Sequence, residues 1–188
     1  MIGLGQDDNF VVTDSCDCDY YTNQSFTAKF QSCDDNISIL HLNIRSLSKN
    51  WDPLLCFLHS VDNYKFTVLA ITETWLNNYS PVDILQIEGY RLINVNRNNR
   101  RGGGVAIFVR EHLTVKVRYD IAAYFDESAE VLFIELENAK LRNSLIGVVY
   151  RPPDRQLRTF IDHLSECLFN TNLEKKNYFL LEISTSIY

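Results

Sequence analysis

Three polar side chains in this sequence, Asn43, Glu73 and Tyr150, stand where runs of apolar residues end, and each has the chemistry to act on a phosphodiester. Glu73 follows the strand-length apolar run Phe66-Thr67-Val68-Leu69-Ala70-Ile71 and is flanked by Thr72 and Thr74. A carboxylate at a rigid strand end suits magnesium, a hard cation that takes oxygen ligands and keeps several waters. The plain alternative is a solvated glutamate at a sheet edge, where most charged strand-end residues belong. Asn43 closes the run 37–42; its carboxamide can accept from a metal-bound water and donate to a phosphate oxygen, or simply make an Asx turn into the loop 45–50. Tyr150 ends Leu145-Ile146-Gly147-Val148-Val149 and precedes Arg151-Pro152-Pro153, which stops the strand. Its phenol can hydrogen-bond a phosphate, or it is a strand-end tyrosine with its hydroxyl in water.

A second signal lies between residues 90 and 110, where Arg91, Arg97, Arg100, Arg101 and Arg110 occur with four asparagines and no acidic residue. Such a patch can grip a nucleic-acid backbone, and its plain alternative is a solvated hairpin. Gly102-Gly103-Gly104 within it lacks the Gly-Lys-Ser/Thr of a phosphate-binding P-loop and reads as a turn into the strand 105–109. His41 falls inside the first strand, and His59, His112 and His163 fall on helix or strand flanks.

These side chains need elements to hold them. The periodicity predicts strands at 37–44, 66–71, 90–95, 105–109, 115–118, 131–136 and 144–150, and a last one beginning at Tyr178. It predicts two long helices. One opens with Asp52 as N-cap and Pro53 at the first helical position, with Leu54, Phe57, Leu58 and Val61 as its apolar stripe. The other starts near Asp154 and lays Leu157, Phe160, Ile161, Leu164 and Leu168 on one side. Many strands with two long helices suggest two sheets packed face to face with helices outside.

The chain has 188 residues, 46% hydrophobic and 22% charged, enough for one core and one domain. Its net charge of −6 comes entirely from residues 1–35, an acidic, Asn/Gln/Ser/Thr-rich segment that reads as a flexible leader; its aromatic residues Tyr20, Tyr21, Phe26 and Phe30 are candidates to dock on the domain. Beyond it basic and acidic residues balance, so a local basic patch is not opposed by the overall charge. The five cysteines form no paired C-x-x-C framework and read as reduced structural thiols. No signal peptide or membrane span is visible, which points to an intracellular protein, nuclear or cytoplasmic.

The segments Leu42-Asn43-Ile44-Arg45-Ser46-Leu47, Ile71-Thr72-Glu73-Thr74-Trp75-Leu76, Arg101-Gly102-Gly103-Gly104-Val105-Ala106-Ile107 and Gly147-Val148-Val149-Tyr150-Arg151-Pro152-Pro153 together resemble the endonuclease/exonuclease/phosphatase family. Within it they most resemble the apurinic-type endonuclease domain of LINE-type non-LTR retrotransposons. The resemblance covers about residues 37–181. It implies a four-layer α/β/β/α sandwich, with Glu73 as the metal-binding glutamate, Asn43 as an active-site organiser and second metal-side group, and Tyr150 as the active-site tyrosine. It implies magnesium, or manganese, as the cofactor and DNA as the partner. Arg97, Arg100, Arg101, Arg110 and Arg151 are the candidates to contact DNA, and the full-length parent would carry a reverse transcriptase domain.

The resemblance also exposes a departure. Where the family continues into Gly-Asp-x-Asn and a later Asp-His motif, this chain reads Tyr178-Phe179-Leu180-Leu181 and then Glu182-Ile183-Ser184-Thr185-Ser186-Ile187-Tyr188. One added base lets codons for that tail read Gly-Asp-Ile-Asn-Ile-Asn-Leu. The expected organisation is therefore a leader over 1–35, the N-terminal part of the family domain over 36–181, and an aberrant, frameshifted tail over 182–188. The sandwich is expected to be incomplete at its C-terminus and the chain inactive as a nuclease. The alternative is a non-catalytic nucleic-acid-binding remnant that uses the basic hairpin 91–110.

Overall fold

The computed structural model describes residues 19–30, 36–61, 64–97, 102–125, 128–137, 143–172 and 176–184. Its elements in chain order are α1 (Asn23–Lys29), β1 (Ile39–Asn43), α2 (Trp51–Ser60), β2 (Val68–Thr72), β3 (Tyr90–Val95), β4 (Val105–Arg110), β5 (Val115–Val117), α3 (Tyr119–Ala122), β6 (Glu130–Leu136), β7 (Ser144–Arg151), α4 (Leu157–Asn172) and β8 (Asn177–Ser184), with short 3-10 turns at Val82–Ile84 and Ala123–Phe125.

The strands form two four-stranded sheets, ordered β1-β2-β4-β3 and β5-β6-β7-β8. Only β1 with β2 and β7 with β8 pair in parallel. A parallel pair requires a crossover, and α2 and α4 are those two crossovers, which is why the chain has two long helices and no more among its described residues. Alternation along each strand then divides the side chains into layers. Val68 and Ala70 of β2, Val105, Ile107 and Val109 of β4, Leu132 and Ile134 of β6, and Ile146 and Val148 of β7 fill the space between the sheets. On the outer face of the first sheet, Leu69, Ile71 and Phe108 pack under Leu54 and Val61, with Trp51 6.0 Å from Phe108. On the outer face of the second, Val131, Phe133, Leu145 and Val149 meet Phe125, Phe160 and Cys167. The result is the expected four-layer α/β/β/α sandwich.

Local expectations for both long helices are corrected. The first long helix begins at Trp51 with Asn50 as its N-cap residue, so Asp52 lies in the first turn and is not the cap, and Pro53 is the third helical residue. Proline is tolerated there because first-turn N–H groups have no intrahelical partner. Asn50 does not cap with its side chain; its Nδ2 donates to the carbonyls of Ile44 (2.8 Å), Arg45 and Ser46, fastening the loop after β1. The second long helix begins at Leu157, after a turn in which Arg155 N–H donates to Pro152 O, and its buried face is Phe160, Cys167 and Thr171. Leu157, Ile161 and Leu168 are exposed, because the small and polar Cys167 and Thr171 take the inward positions.

Within the segment read as a flexible leader, residues 23–29 are helical. Thr22 and Ser25 form a reciprocal capping box, and Phe26 packs on Tyr64 and Phe66 with ring centroids 5.1 and 6.1 Å away. Tyr21, Phe26 and Phe30 cluster there with Tyr64 and Phe66, which orders the capped helix, while Tyr20 stays exposed. No helix among the described residues is long and apolar enough to cross a membrane.

Candidate active site

β1 and β2 end side by side, with Asn43 paired to Thr72. The chain beyond β2 does not leave the sheet freely. Ser46 N donates to Glu73 O at 2.9 Å and Leu47 N to Thr74 O at 2.8 Å on one side, while Thr74 N and Trp75 N donate to Gly104 O and Gly103 O on the other. Glu73-Thr74-Trp75 is thus clamped between the loop after β1 and the entry to β4. Four non-glycine residues here have left-handed backbone, Arg45 (φ 48°), Ser46 (93°), Glu73 (53°) and Trp75 (56°). Each such residue costs on the order of 1–3 kcal/mol, and the clamping hydrogen bonds and surrounding core hold them in place. The glycines are required by the same geometry: at Gly104 (φ 83°) a Cβ would meet Thr74 Oγ1 at 2.4 Å, and at Gly103 (φ 72°) it would meet Glu130 Oε2 at 2.4 Å.

This clamp turns the Glu73 carboxylate inward, where the residue is only 9% exposed. Asn43 Nδ2 donates to Glu73 Oε1 at 2.9 Å, which fixes the carboxylate and leaves its other oxygen and the Asn43 amide oxygen as hard oxygen donors. Across the gap between the sheets stands Tyr150, on the inner face of β7 and buried. Burial pushes its phenol above the ordinary tyrosine range, and the adjacent Glu73 charge adds to the rise, so the hydroxyl stays protonated at neutral pH.

Arg97 completes the cluster. Its guanidinium carbon lies 5.9 Å from the Tyr150 ring centroid, and its Nε donates to Glu130 Oε1. Glu130 opens β6 opposite Tyr150, and its Oε2 accepts from Gly104 N. Sequence reasoning missed Glu130. The signal is alternation: Glu130 shares the inward face with Leu132 and Ile134 but stands one residue ahead of the apolar run 131–136 that marks the strand in the sequence.

The sequence profile of the Endonuclease/Exonuclease/phosphatase family matches residues 39–172. The chain belongs to that family. No curated protein matches it in sequence. Among solved structures, the family fold appears at a TM-score of 0.61 and 14% identity in the AP endonuclease LMAP of Leishmania major, over 86% of this chain and 59% of that one. A 3′ phosphatase from Neisseria bound to a product DNA hairpin matches at 0.52 and 17%, over 78% and 57%. An AP endonuclease of Archaeoglobus fulgidus matches at 0.51 and 16%, over 78% and 56%. This chain spans about three-fifths of the length of those three proteins.

Within this family domain, the structure brings Asn43, Glu73, Tyr150 and Arg97 together and leaves the other candidates elsewhere. Arg110 is at the far end of β4, where Nε and Nη2 donate to Phe66 O (3.2 Å) and Lys65 O (2.6 Å). Arg151 follows Tyr150 by one residue and so takes the opposite face; it is 8% exposed and its Nη1 donates to Pro152 O and Arg155 O, holding the turn before α4. Both are candidates to meet DNA, and in the structure both bind main-chain carbonyls. Arg100 and Arg101 lie outside the described residues, as do Cys16, Cys18 and Cys33. Cys56 is exposed, and burial pushes the Cys167 thiol up to about 11, so it is inert. His41 is on β1, half-buried, with burial lowering its pKa. No cluster of three or more His, Cys, Asp or Glu residues suited to a metal occurs among the described residues.

Proposed function

We propose that this domain is the Glu73-bearing part of a magnesium-dependent DNA endonuclease of the non-LTR retrotransposon type. In its full-length parent it would nick target DNA and pass the 3′ end to a reverse transcriptase domain. The observation that carries this reading is the Asn43–Glu73 pair, fixed at 2.9 Å on two clamped strand ends and facing a protonated, buried Tyr150. A single carboxylate with a neighbouring amide oxygen is a poor trap for zinc or calcium and a fitting one for magnesium, which keeps most of its waters. Manganese, which also favours oxygen donors, fits the same pair. Glu73 and Asn43 are the residues that would hold it, and the ion would supply charge neutralisation of the phosphate oxygens.

The chain's own side chains do the rest of the positioning. Asn43 holds the Glu73 carboxylate in one orientation; Tyr150 offers a hydroxyl proton to a phosphate oxygen at a pH where it is not ionised; Arg97 adds a fixed positive charge beside the ring. That two similar structures are AP endonucleases and one is a phosphatase with a DNA product supports a nucleic-acid phosphoester as substrate. The tail 182–188 stands where the resemblance calls for Gly-Asp-x-Asn, the pair that would position the attacking water. The chain as it stands is therefore proposed to lack turnover.

Supercoiled plasmid incubated with the purified chain and magnesium tests this. Relaxation to the nicked form is expected to stay at the protein-free background. Nicking that requires magnesium and disappears in Glu73→Ala would overturn the inactivity while supporting the chemistry, and salt-sensitive binding with no dependence on Glu73 would favour the binding-remnant reading.

A further inference from the structure

Glu130 is an acid beside a site proposed to receive a polyanion, and that is an arrangement with a cost. Charge alone would make it repel the ligand. Its geometry points the other way. One carboxylate oxygen takes Arg97 Nε and the other takes Gly104 N, so a single side chain at the start of β6 in the second sheet ties down two segments of the first: the loop after β3 and the entry to β4. The Arg97 and Glu130 side chains are 19% and 14% exposed, partly withdrawn from solvent. Among the described residues, Glu130 is the sole hydrogen-bond partner of Arg97, and the bond uses Nε alone, leaving the two terminal amino groups of the guanidinium for another acceptor. The guanidinium lies over the face of Tyr150, and Gly103 leaves no room for a side chain against either member of the pair, where a Cβ would come within 2.7 Å of Arg97 Cζ. A bidentate-capable group is held by its base, in one place, with its phosphate-binding fork unspent.

We propose that Glu130 is a positioning residue: it fixes Arg97 over Tyr150 so that the Arg97 terminal amino groups grip a DNA phosphate at the mouth of the site. This rests on the reading of the site as one for a nucleic-acid phosphoester, but it does not require the metal.

The test is equilibrium binding of the full chain to a fluorescein-labelled duplex oligonucleotide, in EDTA and over a series of salt concentrations, for wild type, Arg97→Ala, Glu130→Gln and the double variant. Arg97→Ala is expected to weaken binding about fivefold and to reduce the slope of log affinity on log salt by about one, as for one lost phosphate contact. Glu130→Gln is expected to weaken binding by about the same factor, although it removes a negative charge, because Arg97 is released. In the Arg97→Ala background the same Glu130→Gln change is expected to tighten binding slightly, since only the repulsion is then left to remove. A merely structural role would give losses of the same sign in both backgrounds, and thermal melting of each variant separates that case. Tighter binding in Glu130→Gln with Arg97 present overturns the proposal, and so does a wild type that binds no duplex. Because EDTA removes metal from the assay, failure here leaves the metal reading of Glu73 and Asn43 standing, and loss of metal binding would leave this result standing.

Discussion

β6 carries two glutamates five residues apart, and each meets an arginine, yet the two pairs are built for different purposes. Glu135, on the outer face near the far end of the strand, accepts from Arg118 Nη1 at 2.9 Å, Lys176 Nζ at 2.6 Å and Asn143 Nδ2 at 2.7 Å, and Arg118 is further tied to Asp120. Every member of that network is spent on another member, and Glu135 and Arg118 side chains are 9% and 8% exposed. Glu130, on the inner face at the other end, has one arginine, one backbone N–H, and a tyrosine ring beside the arginine. The first pair closes a protein surface; the second leaves donors over. A buried ion pair by itself is therefore no sign of function. The distinguishing features are the left-handed residues and forced glycines that crowd the Glu130 end.

The largest effect that would sharpen this contrast is on stability. Glu135→Ala leaves Arg118 and Lys176 without their shared acceptor and is expected to cost about 3 kcal/mol in urea unfolding, whereas Glu130→Gln, in a wetter setting, costs about 1 kcal/mol or less. Equal losses would break the distinction. The two ends also predict acid behaviour. Burial alone would raise the Glu135 pKa, but the hydrogen bonds from Lys176, Asn143 and Arg118 outweigh it and hold it below the ordinary 4.5. A depressed folded-state pKa means that the stabilisation is complete above the unfolded value and is lost as pH falls through the lowered one. Unfolding of wild type is expected to steepen below about pH 4.5, and a Glu135→Gln chain, already destabilised, is expected to show a shallower acid dependence in circular dichroism melts.

Next in size is the clamp. Gly104→Ala puts a methyl into Thr74 Oγ1 and into a left-handed backbone, and is expected to cost about 2 kcal/mol while shifting the amide resonances of Glu73 and Trp75. Shifts confined to the entry of β4 would show that the two loops are not coupled. The smallest effect is expected from Arg110→Ala, since Arg110 is committed to backbone carbonyls at the far end of β4: duplex affinity should stay within about twofold of wild type, against about fivefold for Arg97→Ala. Similar losses at both positions would restore the basic hairpin as a continuous DNA-binding surface.

Much of this arrangement was legible in the sequence because it depends on short-range pattern. Apolar runs ending at Asn43, Glu73 and Tyr150 place polar groups at strand ends, and two amphipathic helices among many strands imply two parallel crossovers. What was not legible depends on partners far apart in sequence or on facing. Glu130 acquires meaning from Arg97 and Gly104, which the sequence separates from it by the strands β4 and β5 and the short helix α3. Arg110 and Arg151 are alike in sequence as basic residues near a site, and only strand direction and side-chain alternation separate them, one at the far end of β4 and the other on the outer face of β7. On α4 only part of the apolar stripe is used: Phe160 and Leu164 pack against the outer face of the second sheet, while Leu157, Ile161 and Leu168 stay exposed because Cys167 and Thr171 take the other inward positions.

The central claim is that Glu73 and Asn43 form a divalent-cation anchor. Manganese titrated into the isotope-labelled chain tests it most directly, through paramagnetic broadening of amide and side-chain resonances. The account predicts broadening centred on Asn43, Glu73 and Tyr150 at low metal equivalents, and its loss in Glu73→Gln with the rest of the spectrum unchanged. Broadening centred elsewhere, or unaltered by Glu73→Gln, would contradict it.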